Sequence, residues 1–129
     1  MGLDSFILLT NKKNTEYTDD NLEEVGYFRK VNFIHFWVEK NLNNGEQTNC
    51  EFIEIPKDKL DEFIDLLQKV KDDNSLAFEL LPCHSRFFFG NTYYNDIYFY
   101  DIDIALKTFI EIRDTIDFDT QKILYYSWW

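Results

Sequence analysis

The stretch GYFRKVNFIHFW, residues 26–37, sets Arg29, Lys30, Asn32 and His35 among aromatic and aliphatic side chains. Continued to residue 42, Tyr27, Val31, Ile34, Val38 and Leu42 recur at helical spacing, and the pattern predicts an amphipathic helix over residues 26–42. Asn41, Asn43, Asn44 and Gly45 end it. Turned at about 100° per residue, this helix carries two more columns. Phe28, Asn32, His35 and Glu39 stack along one flank; Arg29, Phe33, Phe36 and Lys40 form another, with Trp37 between that column and the core face. A surface helix of a lone domain is polar opposite its core, and Phe33, Phe36 and Trp37 break that rule. Either the helix is buried on two sides, with Asn32 and His35 hydrogen-bonded inside, or the Phe28, Asn32 and His35 flank lines a cavity with Arg29. In the second case Phe33, Phe36 and Trp37 meet another subunit.

Around this stretch the elements are simpler. SFILLT (residues 5–10) reads as a buried strand, and residues 11–21 read as a polar loop. CEFIEI (residues 50–55) alternates with period two, so Phe52 and Glu54 face one side of a sheet and Ile53 and Ile55 the other. Pro56 closes that strand. KDKLDEFIDLLQKVKDD then places Leu60, Phe63, Ile64, Leu67 and Val70 on one helical face. A third helix is expected over residues 101–116, with Asp101 or Asp103 at its start, and QKILYYSWW (residues 121–129) reads as a closing strand. This order predicts an α+β fold in one domain over residues 1–129: a small, mainly antiparallel sheet with about three helices on one face.

Composition narrows the function. The formal charge of −11, from 24 acidic against 13 basic residues, disfavours a polymeric nucleic acid, whose every phosphate contact needs a local cation. A small phosphorylated ligand needs only one or two. The first residues carry no basic segment followed by an apolar one, and no apolar run reaches membrane-spanning length. The chain therefore reads as soluble and cytoplasmic, with no membrane partner. Cys50 and Cys83 stand alone, the pattern of free thiols and not of a metal site, and no cofactor is expected.

A second unusual stretch is RFFFGNTYYNDIYFYD, residues 86–101, in which aromatic residues surround Gly90. The glycine permits a turn or a close backbone approach to a ligand, Asn91 and Thr92 offer polar contacts, and Tyr93, Tyr94, Tyr98 and Tyr100 combine ring faces with phenols. The candidate ligand-binding set is thus Phe28, Arg29, Asn32, His35, Arg86, Gly90, Asn91, Thr92, Tyr94 and Tyr98. Asn and His supply donors and acceptors and Arg a fork for phosphate or carboxylate. The candidate interface of a homo-oligomer is Phe33, Phe36 and Trp37 with Trp128 and Trp129, because a chain end of large rings has to dock somewhere.

The opening MGLD, EEVGYFRKVNFIHFW and RFFFGNTYYNDIYFYD together resemble a family of short proteins encoded in tailed-phage and prophage genomes, whose members read E-V-x-Y-W-R-K-x-N-x-I-H and later F-F-F-G-x-T-x-Y, with a tryptophan near the C-terminus. Here Phe28 stands where the family pattern has tryptophan. The resemblance implies phage origin and a shared fold, and no reaction. With it, the expected function is a non-catalytic anti-defence protein that sequesters a small nucleotide-type signal. An acidic inhibitor of a host defence protein, such as a CRISPR effector, is the alternative. A small phosphodiesterase using His35 and His84 is the third reading, but His84-Ser85 is the single His-x-Ser/Thr-like element and no phosphate loop or zinc motif is present.

Overall fold

The structure, a computed structural model, describes residues 2–84 and 93–129, and in it residues 26–37 split between two elements. Strand β2 (Glu23–Arg29) ends where the expected helix should be under way, and helix α1 (Asn32–Leu42) begins only afterwards. The expected helix over residues 26–42 is corrected accordingly. The break is at Lys30, whose φ of 58° puts it in the left-handed region, a conformation that side chains disfavour. Its N–H is held by the Leu3 carbonyl at 2.7 Å. Upstream the true period is two: Phe28 is buried while Tyr27 and Arg29 on either side are exposed.

The full order is β1 (Asp4–Asn11), β2, α1, β3 (Phe52–Ile55), α2 (Lys57–Asp72), a 3-10 turn (Asn74–Leu76), α3 (Ala77–Leu80), α4 (Asp96–Thr115) and β4 (Gln121–Trp128). The four strands form one antiparallel sheet in the order β2-β1-β4-β3. The fold class is α+β, as the element pattern predicts. First and last strands lie side by side at its centre, paired from Asp4 opposite Trp128 to Asn11 opposite Gln121. That pairing ties down the aromatic C-terminal strand.

Alternation sends Ser5, Ile7, Phe28, Ile55, Ile123, Tyr125 and Ser127 to the helical side of the sheet, all of them buried. Against them α2 packs Leu60, Phe63, Ile64, Leu67 and Val70, and α4 packs Ile102, Ala105, Leu106, Phe109 and Ile112. Each large side chain removed from water in this way contributes about 1.5–3 kcal/mol. Phe63 sits at the centre, edge-on to Phe109 at 5.2 Å and 4.3 Å from the Trp37 ring. At Gly26 a Cβ would stand 3.2 Å from Ile7 and 3.3 Å from Thr108. Strand and α4 approach this closely because glycine has no side chain.

Helix α4 starts before the expected Asp101. Asn95 caps it, its side chain accepting from the N–H groups of Ile97 and Tyr98 at 3.2 and 3.3 Å. Asp103 is therefore mid-helix, where it pairs with Lys71 at 2.6 Å and Lys107 at 3.3 Å.

Candidate functional site

Two of the residues expected to face a ligand face the core instead. Phe28, on β2, stacks nearly parallel to Phe109 at 5.8 Å. His35 is wholly buried in a chain of hydrogen bonds between α1 and the sheet. Its Nε2 lies 2.8 Å from a Glu39 carboxylate oxygen and its Nδ1 2.8 Å from the Tyr125 hydroxyl. Tyr125 in turn meets Ser5 Oγ at 2.8 Å, and the same Glu39 oxygen accepts the Thr48 N–H at 2.8 Å. Since the carboxylate can only accept, Nε2 carries the hydrogen; Nδ1 then accepts from Tyr125, which accepts from Ser5. Burial pushes the Tyr125 phenol above its ordinary range, with the nearby Glu39 charge adding to the effect. The group resembles a catalytic relay in its atoms. With every member buried, it acts as a specified polar core.

Three other candidates, Arg29, Asn32 and Tyr98, meet at a cleft of about 240 Å³ where β2 turns into α1 and the start of α4 closes the opposite wall. Arg29 and Lys30 border it together with the first turn of α1, and Tyr93, Tyr98 and Asp101 stand across from them. At the cap position of α1, Val31 offers no side-chain acceptor, and the first turn contains no acid. The positive end of the helix dipole therefore lies beside two cations. Arg29 also pairs with Asp4 at 3.1 Å on the exposed side, where the Tyr27 hydroxyl donates to the same carboxylate. Hydrogen bonding to Tyr27, and after it the Asp4 charge, hold the Arg29 guanidinium above its usual pKa.

Across the cleft, burial pushes the Asp101 carboxyl up to about 6. Burial, with the Asp101 charge behind it, pushes the Cys83 thiol up to about 11, so at neutral pH Cys83 is a thiol and a poor nucleophile. Tyr98 is buried, and its hydroxyl donates to the Leu81 carbonyl at 2.8 Å. Burial raises its phenol above the ordinary range. The Tyr94 hydroxyl accepts the Cys83 N–H at 3.0 Å. Both tyrosines pin residues 81–83 with the hydroxyls expected to reach a ligand, while Tyr93 and Tyr100 are exposed.

Of the expected ligand set, the cleft brings together Arg29, Asn32 and Tyr98. Phe28 and His35 belong to the core, Tyr94 packs on Tyr98 at 5.0 Å, and Arg86, Gly90, Asn91 and Thr92 lie outside the described residues. Of the expected interface set, Phe33 and Trp37 are buried within the chain, which corrects the reading that they point away from its core. They turned inward because α1 starts six residues late, leaving a short helix enclosed on most sides. Phe36 is half-buried against His84 at 4.6 Å, in a second and more apolar cleft of about 560 Å³ that shares Phe33 with the first. Trp129 donates its indole N–H to the Thr48 carbonyl, and Trp128 is exposed.

Sequence reasoning missed Lys30 and Asp101 as lining residues. The Asn95-Asp96 pair ahead of an aromatic run was the available signal: as a cap it moves the helix start upstream and turns Asp101 toward the cleft. Comparison with family models, curated proteins and solved structures finds no match to the chain.

Proposed function

We propose that the chain is a binding protein for a small anion carrying an aromatic ring, of the nucleotide type, held where β2 turns into α1. The observation that carries this reading is the convergence of Arg29, Lys30 and the first turn of α1 on one cleft walled by tyrosines. A phosphate set there meets two cations at the positive end of the helix dipole. A base stacks on the exposed Tyr93 ring. The volume, about 240 Å³, is below the roughly 300–1,000 Å³ of pockets that engulf a whole ligand, so one end of the molecule is gripped and the rest extends beyond the cleft.

Binding without turnover fits the groups present: Cys83 is held as a thiol, and of the two histidines His35 is buried and His84 exposed. Held uncleaved, a signalling nucleotide is withdrawn from its receptor, which is the sequestering, anti-defence role expected from the sequence. The test is calorimetric titration with a panel of nucleoside phosphates and cyclic dinucleotides, followed by mass spectrometry of what denaturation releases. Intact ligand is expected, with Lys30→Ala and Arg29→Ala each losing about 1–3 kcal/mol of binding. Cleaved products would replace this reading with an enzymatic one, and no binding across the panel would overturn it.

A further inference from the structure

On the side of the sheet away from the helices, one row of aromatic side chains crosses all four strands. Tyr27 on β2, Phe6 on β1, Tyr126 on β4 and Phe52 on β3 are register partners in turn. Successive rings lie 5.2, 6.3 and 4.8 Å apart and tilted, and Tyr17 extends the row at 5.0 Å from Phe52. Tyr17 belongs to residues 12–22, which fold over one end of this face: Thr10 donates to the Asn21 carbonyl, and the Lys122 ammonium to the Asn14 carbonyl.

Between that loop and the aromatic row lies a cleft of about 410 Å³, lined by Phe6, Leu22, Phe52 and Tyr126 with Asp19 and Glu24. Ring faces are electron-rich, and carboxylates beside them add to the attraction for a cation. Three acids of α2 have their charge answered by a neighbour. Asp61, Glu62 and Asp65 on α2 each pair with a lysine of the same helix, whereas among the described residues neither Asp19 nor Glu24 is in an ion pair. The molecule already sets one cation at the edge of this face, with Lys122 Nζ 5.2 Å from the centre of the Tyr17 ring.

We infer that this face docks a basic segment of a partner protein, one lysine or arginine side chain entering the cleft over Phe6, Phe52 and Tyr126 with Asp19 and Glu24 beside its charge. Charge complementarity selects this occupant. A nucleic acid or a second copy of a chain with net charge −11 would bring like charge to carboxylates that lack a counterion, and a basic segment supplies one.

The experiment is fluorescence anisotropy with a labelled peptide of alternating arginine and glycine, and with its citrulline counterpart, which keeps the shape and loses the charge. The arginine peptide is expected to bind, more weakly as salt rises. Asp19→Asn with Glu24→Gln should weaken it about fivefold, and Phe52→Ala should weaken it as well. Asp61→Asn with Asp65→Asn, which removes the same charge from α2, should leave it unchanged. Absence of binding by the unaltered chain, equal binding of the citrulline peptide, or equal loss in the α2 pair would each overturn the inference.

Discussion

His35 and Asp101 show how burial assigns different work to two ionisable side chains. His35 is satisfied on both ring nitrogens, by Glu39 and by Tyr125, and its partners are themselves bonded onward to Thr48 and Ser5. Removing one atom from such a chain leaves buried groups without the bond they had. Tyr125→Phe, which keeps the ring and deletes one oxygen, is expected to cost about 1–3 kcal/mol in urea unfolding. Glu39→Ala, which strips both His35 and the Thr48 amide, should cost more. A loss within error for both would mean that the relay contributes nothing to stability.

Asp101, half-buried at the cleft, behaves oppositely. Its carboxyl holds a proton more tightly folded than unfolded, with a pKa raised from 3.8 to about 6. Its ionisation therefore costs nothing below pH about 4, where both states are protonated, and an increasing amount between about 4 and about 6; above that the cost is constant. Solvent screens a group this exposed, so the cost is on the order of 1 kcal/mol. Asp101→Asn should raise the urea midpoint at neutral pH and leave it unchanged near pH 3.5 to within about 0.3 kcal/mol. An equal effect at both would show that the carboxyl's charge is not the cause.

Among the elements, α2 was fully legible, because Leu60, Phe63, Ile64, Leu67 and Val70 keep one period and, Leu66 apart, every other position is polar. The β2 and α1 pair was not. Tyr27 falls at helical spacing from Val31 and Ile34, and this coincidence hid the alternation of Gly26, Tyr27, Phe28 and Arg29; no glycine or proline marks the break, since Lys30 itself adopts the left-handed turn. That single misreading put Phe28 on a helix flank with His35 and left Lys30 out of the ligand set. Arg29 and Asn32 survived because both flank the turn. At α4 the Asn95 cap shows the same lesson from the other side, and Asn95→Ala is expected to destabilise the protein by about 1 kcal/mol, read as a lower thermal midpoint. An unchanged midpoint would place the functional start of the helix nearer Asp101.

Taken as a whole, the molecule separates its chemistry by face. The helical side of the sheet is closed around one apolar core, the strand-to-helix turn at one edge gathers cations, and the opposite face presents aromatic rings with acids that lack ion pairs among the described residues. No helix among the described residues is long and apolar enough to cross a membrane. Self-association, expected from the surplus of rings, has lost Phe33 and Trp37 to the core and keeps Trp128 as the exposed member of its set. The claim on which the rest turns is that an anion sits at the first turn of α1. Amide-resolved NMR during titration with the tightest nucleotide of the panel reads that turn directly. The account predicts that the amides of Lys30, Asn32 and Phe33 shift together and saturate, while those of Phe6 and Tyr126 on the far face stay in place. Saturable shifts confined to the far face, or none at residues 30–33, would contradict it.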